Sequence, residues 1–447
     1  MHRAIDVTFA GRVAGVLGTR LVQLACTLAV SFLLARLLGP DGRGVYTLLV
    51  LVPTTLFALG QLGLTSAMVF NAGRGGRLAD LERHTLTLGL GVSVVVVAAA
   101  LTVLPALEPT ALRLAPPDLL RIALLALPLR LVATLAGSVL YGRHMFRAYN
   151  LILAVQSVLS VVLVVVLVGL LGSGVDGALA AYLLFLAFGT VAVVLYLDGV
   201  RRAEDRVAAA TGPSAEADVP VSAREIAGYG LRLYPATVGT FFGYRADVFL
   251  LAWLLGSASD IGVYAVAVSL AELVFNVPDA VSTVLFPRIA AASRTEADRL
   301  APAMARMTIL VTAAAAVAVV PAAWIALSVL LPAFLPGMAA LIVILPGIVA
   351  LSVAKVLTSY LSGIERLAPV TTAAVASLGV NLGANLVLIP AFGIVGAAAA
   401  SLVSYTAYAV LMIKFASDAS SCSWRDFLVP QTGDVRRLAS SIVRLRP

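Results

Sequence analysis

The residues able to do chemistry in this 447-residue chain are few, and they are spaced to share helix faces inside apolar segments. Arg20, Gln23, Thr27 and Ser31 fall within an arc of about 80° at helical spacing, and Thr47, Thr54, Gln61 and Thr65 within about 40°. Arg130, Thr134 and Ser138 line up in the same way. Arg232, Ala236, Gly239, Gly243 and Asp247 share one side of a later segment. Ser269, Glu272, Asn276, Asp279 and Thr283 form one stripe, Ser352, Lys355, Ser359 and Ser362 a second, and Ser377, Asn381 and Asn385 a third. Charged and amide groups in apolar helices are costly and by default face a cavity, a partner or a ligand path. A guanidinium grips an oxyanion through two parallel hydrogen bonds, amides and hydroxyls suit a hydroxylated ligand, and a buried carboxylate holds a proton or a small cation. The candidates to face a ligand are therefore Arg20, Gln23, Gln61, Arg130, Arg232, Arg245, Asn276, Lys355, Asn381 and Asn385. The candidates to hold a cation are Asp247, Glu272 and Asp279.

Plainer roles compete for each. Serine and threonine in such helices usually bond their own backbone. Arg130 and Arg232 lie near enough to one helix end to snorkel to the interface. Asp247 is either a cation site or a fixed partner for an arginine. Arg245 points about 160° away from Asp247 on the same helix, so the two do not simply pair there. His2, His84 and His144 are scattered, Cys26 and Cys422 stand alone, and no cluster has metal-ligand or disulfide-framework spacing. No G-x-x-x-x-G-K-[ST] occurs. No catalytic residues, metal or cofactor are expected, and the chain is not expected to be an enzyme.

The elements that carry these residues follow from composition. The chain is 61% hydrophobic and only 12% charged, with a mean hydropathy of +1.03. A soluble domain carries about 25% charged residues, so a soluble protein is excluded. A crossing helix needs about 20 apolar residues, and twelve segments qualify: 11–38, 44–70, 84–107, 118–141, 148–171, 175–198, 225–256, 260–290, 303–331, 335–361, 369–389 and 393–416. The first apolar run is too long for a cleaved signal peptide and reads as a retained helix. With the N-terminus inside, 22 of the 31 basic residues fall in inner segments, 4 in outer segments (Arg36, Arg43, Arg113, Arg121) and 5 within spans (Arg20, Arg130, Arg232, Arg245, Lys355). That asymmetry places both termini in the cytoplasm and accounts for most of the net charge of +8 without a nucleic-acid partner.

The two halves repeat. Leu34-Ala35-Arg36-Leu37-Leu38-Gly39 and Gly44-Val45-Tyr46 resemble Leu251-Ala252-Trp253-Leu254-Leu255-Gly256 and Gly262-Val263-Tyr264, at offsets of 217 and 218. Leu127-Pro128 matches Leu345-Pro346 at 218, and Gly174-Val175-Asp176-Gly177-Ala178 matches Gly393-Ile394-Val395-Gly396-Ala397 at 219. Six crossings per copy give repeats of the same orientation, as in parallel-repeat transporters. The expected organisation is an N-terminal lobe over 1–198, a cytoplasmic linker over 199–224, a C-terminal lobe over 225–416 and a basic cytoplasmic tail over 417–447. Within that tail, 434–446 reads as an amphipathic interfacial helix on anionic membrane lipids.

The stretches Phe32–Ala67 (FLLARLLGPDGRGVYTLLVLVPTTLFALGQLGLTSA), Asp247–Ala290 and Phe334–Ser404 resemble polysaccharide-biosynthesis flippases of the multidrug/oligosaccharidyl-lipid/polysaccharide exporter superfamily. The resemblance implies an all-α membrane fold of twelve helices, with two six-helix lobes around a central cavity. It implies a flippase that moves a lipid-linked oligosaccharide, usually on undecaprenyl pyrophosphate, across the bacterial cytoplasmic membrane by alternating access. A multidrug or small-cation exporter of the same superfamily is the alternative. The family's cavity arginine on the first helix maps to Arg20, and the other cavity arginines do not map cleanly. Polysaccharide polymerases and glycosyltransferases of the same pathway are the partners implied.

Overall fold

The computed structural model describes residues 2–107, 112–211 and 219–429, with side chains throughout except at 2–18, 20, 107, 208, 211, 229–230, 232–233, 235–244, 280, 283–284, 286–288 and 290–291. In chain order the helices are α1 (His2–Gly60), α2 (Leu64–Gly73), α3 (Leu78–Leu107), α4 (Pro117–Ala123), α5 (Ala126–Gly142), α6 (Phe146–Val164), α7 (Gly174–Thr211), α8 (Ala223–Leu254), α9 (Ala258–Ala291), α10 (Arg294–Leu330), α11 (Gly337–Gly363), α12 (Leu367–Ala419) and α13 (Trp424–Leu428). A π-helical stretch, Val165–Leu170, extends α6. No β-strand occurs among the described residues.

Among the described residues, nine helical segments are long and apolar enough to cross a membrane, and the chain is a multi-pass membrane protein. Two of the nine are too long for one crossing: Leu21–Gly60 has 40 residues and Leu367–Ala419 has 53. At about 1.5 Å per residue they would reach about 60 and 80 Å, against a hydrocarbon core of about 30 Å. Each is broken at a glycine, Gly39 (φ 66°, ψ −179°) and Gly393 (φ 59°, ψ −134°). These breaks fall where the hydropathy pattern separates spans 11–38 from 44–70 and 369–389 from 393–416. The expected seventh span corresponds to α8, which is not among the nine. Many of its side chains lie outside the described residues. The nine segments do not by themselves fix the expected count of twelve.

The duplicated sequence folds into duplicated turns. Gly39 and Gly256 both take left-handed backbone, φ 66° and 62°, as do Gly174 and Gly393, φ 56° and 59°. A further match emerges only in three dimensions. α5 and α11 both end with a left-handed residue, His144 (φ 59°) and Glu365 (φ 62°). At each, the next residue's N–H reaches back to a leucine carbonyl: Met145 to Leu140 at 2.9 Å and Arg366 to Leu361 at 2.8 Å. This is the bond pattern of a helix terminated by a left-handed residue.

Two compact units divide the chain, Met1–Val238 and Gly239–Pro447. In the first, Leu64, Met68, Leu81, Leu135, Val139, Leu140, Val193 and Leu197 bury the joint of α2, α3, α5 and α7. A second cluster, Leu34, Val164, Val168, Ala178 and Ala181, joins α1, α6, the π-helical stretch and α7. Buried polar groups tie these helices by backbone carbonyls: Gln156 donates to Phe185 O at 2.9 Å and Thr190 to Leu129 O at 2.8 Å.

α7 runs past the expected end at 198 to Thr211. A ladder of ion pairs at helical spacing carries it on: Arg201 meets Asp198 (2.6 Å) and Asp205 (3.0 Å), and Arg202 meets Asp198 (2.6 Å). Arg201 also reaches Glu82 of α3 at 2.5 Å. Beyond residues 212–218, the chain docks back on the same unit. The Arg77 N–H donates to Val219 O at 2.9 Å, His84 Nε2 meets Val221 O at 2.9 Å, and Val221 and Ile226 are buried.

In the second unit α11 is the most enclosed helix, with Tyr360, Leu357, Ile348 and Leu341 fully buried. α10 starts at Arg294, earlier than the expected 303, because Ser293 caps it through the Glu296 N–H. α13 folds onto this unit with Phe427 fully buried, and Arg306 donates to the Asp426 carbonyl. The Ser423 N–H and hydroxyl both donate to the Asp426 carboxylate, at 2.7 and 2.9 Å, and hold that carboxyl below its ordinary range. The basic stretch 434–446 lies outside the described residues.

Candidate functional site

The second unit gathers most of its in-span charge on three helices. α9 presents Glu272, Phe275, Asn276 and Asp279 at spacings of three and four, so they share one face. Each acid on that face meets a cation from another helix. Arg245 of α8 lies 3.2 Å from Glu272, and Lys355 of α11 pairs with Asp279. Lys355 also sits 4.6 Å from the centre of the Phe275 ring, which in turn packs edge-on to Tyr405 at 6.3 Å. The two pairs are seven residues apart along α9, about 10 Å.

The pairs differ in solvent access. The Arg245 and Glu272 side chains are 39% and 38% exposed, whereas Lys355 is 20% and Asp279 57% exposed. Half-exposed ions gain little from pairing and stay available to another ligand. Asn276 is exposed on the same face and donates to Leu273 O at 2.9 Å.

Asp247 stands apart from this stripe. It is only 5% exposed. It accepts a hydrogen bond from Tyr264 of α9, itself fully buried, and one from the Val248 N–H at 2.9 Å. A carboxylate so deep in an apolar helix pair survives only with such donors. No arginine pairs with it among the described residues. Its neighbour Arg245 goes to Glu272 instead, as their opposed directions on α8 require.

Asn381 and Asn385 occupy a different place. Both are buried between the two halves of α12. Asn381 donates to Ser404 Oγ at 3.1 Å, Asn385 to Asn381 O at 2.9 Å and Oδ1 at 3.0 Å, and Ser377 to Ser404 O at 2.9 Å. This ladder clamps the hairpin across Gly393. It leaves Asn385 Oδ1 buried without a donor.

In the first unit Arg130 of α5 donates to Thr54 of α1 at 3.1 Å and lies 4.7 Å from the centre of the Phe57 ring. Gln61, in the turn just after α1, accepts from Thr65 at 3.4 Å. Tyr234 closes on this region by donating to Leu59 O at 2.6 Å. Gln23 has its Nε2 buried without an acceptor. The side chains of Arg20 and Arg232 lie outside the described residues.

Sequence reading passed over the aromatic members of these sets. Tyr264 and Tyr46 were visible only as parts of the repeated Gly-Val-Tyr turn. Phe57 and Phe275 follow their stripe positions at spacings that also fit core packing. Arg43 was counted among the outer topology residues, yet it is buried.

The helical arrangement has close counterparts among solved structures. The lipid II flippase MurJ, in an inward closed conformation, superposes with a TM-score of 0.69 at 13% identity, over 97% of this chain and 93% of that one. An inward-facing multidrug resistance MATE family transporter of the MOP superfamily gives 0.63 at 16% identity, over 89% of this chain and 94% of that one. A MOP superfamily transporter from Pyrococcus furiosus, described as having a binding pocket of reversed polarity, gives 0.51 at 16% identity, over 91% and 94%. At these identities the likeness carries the fold. No curated protein sequence matches the chain. The sequence profile of the family described as polysaccharide biosynthesis protein matches residues 33–335. That match spans more than half of the chain, includes the Gly39 and Gly256 turns and the Glu272–Asp279 stripe, and agrees with the superfamily fold: the chain belongs to the polysaccharide biosynthesis protein family.

Proposed function

We propose that the protein is a flippase that carries a lipid-linked oligosaccharide, with a pyrophosphate-bearing polyprenyl carrier, across the bacterial cytoplasmic membrane by alternating access. Membership of a polysaccharide biosynthesis family is the observation that carries this reading. The fold shared with a protein described as a lipid II flippase supports it. The chemistry of the stripes is compatible. Arg130 and Arg245 offer planar guanidinium forks for a phosphate. The exposed amide of Asn276 suits sugar hydroxyls, and the lipid tail can stay in the bilayer. Asp247, buried against Tyr264, is the candidate to carry a coupling proton or sodium ion, with Glu272 and Asp279 released for that role only when their pairs open.

Asp247 and the likeness to MATE transporters favour a second reading, export of a small cationic drug. Two measurements separate them. Purified protein in proteoliposomes, given a fluorescent undecaprenyl-pyrophosphate glycan, should move it between leaflets, and Arg130→Ala with Arg245→Ala should slow that movement. Absence of movement in an active preparation with a matching glycan overturns the flippase reading. Resistance to cationic dyes on expression, abolished by Asp247→Asn, would establish the export reading in its place.

A further inference from the structure

Among the described residues of the first unit, one buried arginine has no anion paired with it. Arg43 is 8% exposed. Its one hydrogen-bond partner among the described residues is Ser31 Oγ, at a long 3.4 Å, and its guanidinium lies 5.5 Å from the centre of the Tyr46 ring. Its Nε is buried without an acceptor. No carboxylate pairs with it among the described residues; Asp41 and Asp176 are exposed. Tyr46 packs against the cluster that includes Ala178 and Ala181 of α7, and the hydroxyl of Tyr182, the next residue of α7, is also buried without a partner among the described residues. Orphaned buried donors are rare in native proteins, and a cluster of them needs an explanation. An uncompensated buried charge is more costly still.

The repeat shows what is missing. Tyr46 corresponds to Tyr264, and Val30 to Asp247 at the offset of 217. In the second unit the tyrosine hydroxyl is satisfied by that carboxylate. The place of Arg43 is there taken by Ile261, fully buried. One copy of the fold thus holds a self-contained carboxylate and tyrosine. The other holds a guanidinium with no acid beside it among the described residues.

The surroundings are built for approach. Arg43 lies in the first turn after the Gly39 break, where the helix start leaves N–H groups unpaired and favours anions. Gly42 of the same turn faces Val175, and an added Cβ at Gly39, Gly172 or Gly174 would meet nothing within 4 Å. The π-helical stretch Val165–Leu170 adjoins the cluster into which Tyr46 packs. Such stretches recur at functional sites.

From this geometry we infer that Arg43, Ser31, Tyr46 and Tyr182 form an anion site within the first unit that takes a phosphate-class oxyanion. The fork of Arg43 supplies donors only, the Ser31, Tyr46 and Tyr182 hydroxyls can each turn a donor toward a ligand, and a deprotonated tetrahedral oxyanion accepts from all of them. On the sidedness expected from the arginine distribution, the site lies at the outer end of the unit. It is independent of the flippase reading, since it asks for binding and not movement.

The test uses the full chain. Thermal midpoints are measured in detergent with inorganic phosphate or pyrophosphate, and in nanodiscs of phosphatidylglycerol against phosphatidylcholine. The wild-type midpoint should rise with at least one anionic probe. Arg43→Met should abolish the rise, and Arg43→Lys, which keeps the charge but not the fork, should weaken binding by about tenfold. A response to phosphatidylglycerol alone assigns the oxyanion to a lipid headgroup, and a response to the soluble anions assigns it to free phosphate or pyrophosphate. If Arg43→Met is not produced folded, Tyr182→Phe and Ser31→Ala serve, each reducing the response. Equal responses of wild type and these variants to every probe overturn the site.

Discussion

At the residue scale the argument turns on which in-span groups are satisfied. Asp247 takes hydrogen bonds from the Tyr264 hydroxyl and the Val248 N–H, both inside the protein, so removing one donor strands a buried carboxylate. Leaving a buried acceptor short of a donor costs about 1–3 kcal/mol, more when it is charged. Tyr264→Phe should therefore lower the thermal midpoint of the purified protein, and adding Asp247→Asn to it should recover much of the loss, because a neutral amide is cheaper to bury. Independent, additive losses for the two changes would show that the bond does not carry the pair. Arg245 and Glu272 behave oppositely. Each is more than a third exposed, and such pairs contribute about 0–1 kcal/mol, so Arg245→Ala or Glu272→Ala should leave the thermal midpoint nearly unchanged. Spacing placed Glu272, Asn276 and Asp279 on one face, and the structure puts them there. The cross-helix partners were not legible. Periodicity reports direction around one helix but says nothing of which cation another helix delivers.

At the element scale the repeated glycines are the strongest constraints. Gly396 packs where an added Cβ would stand 2.0 Å from Leu388 O and 2.4 Å from its carbon. The obstacle is backbone of the preceding half-helix, so the hairpin itself must open. Gly177, its repeat mate, is also tight, with Ser173 Cβ at 2.7 Å and Leu167 O at 3.1 Å, but no backbone atom comes within 3 Å of the added carbon. Gly393 has room beside it, with Leu255 Cδ1 at 4.0 Å, but its φ of 59° penalises any side chain by about 1–2 kcal/mol. Gly396→Ala should thus be the most damaging of the three, lowering folded yield in detergent by size-exclusion more than Gly177→Ala or Gly393→Ala. An equal effect at Gly177 and Gly396 would show that the backbone contact is not what matters. The breaks at Gly39 and Gly393 were readable as gaps between apolar runs. The extension of α7 to Thr211 was not, because hydropathy ends where the membrane does while the ladder of Arg201, Arg202, Asp198 and Asp205 keeps the helix going in water.

At the scale of the whole molecule, hydrophobic content and the placement of arginine decide more than any motif. The apolar fraction made a multi-pass protein legible at once, and the repeat offsets foretold paired turns that the backbone reproduces at Gly39 and Gly256, and at Gly174 and Gly393. Arg43 shows where the same reasoning stops. A basic residue near a span end is read as a topology signal, and only packing reveals that it is enclosed. Sidedness is nonetheless testable, since the asymmetry of 22 inner to 4 outer basic residues commits each loop to one face. The chain has two cysteines, Cys26 and Cys422, so a cysteine-free background needs only two substitutions. In that background Ser173→Cys and Ser293→Cys introduce thiols at exposed positions between α6 and α7 and at the start of α10. A membrane-impermeant maleimide added to intact cells should label the first and spare the second until the membrane is permeabilised. Labelling of Ser293→Cys in intact cells, with Ser173→Cys protected, would invert the orientation. The proposed Arg43 site would then face the cytoplasm, the side on which the flippase reading has its cargo loaded.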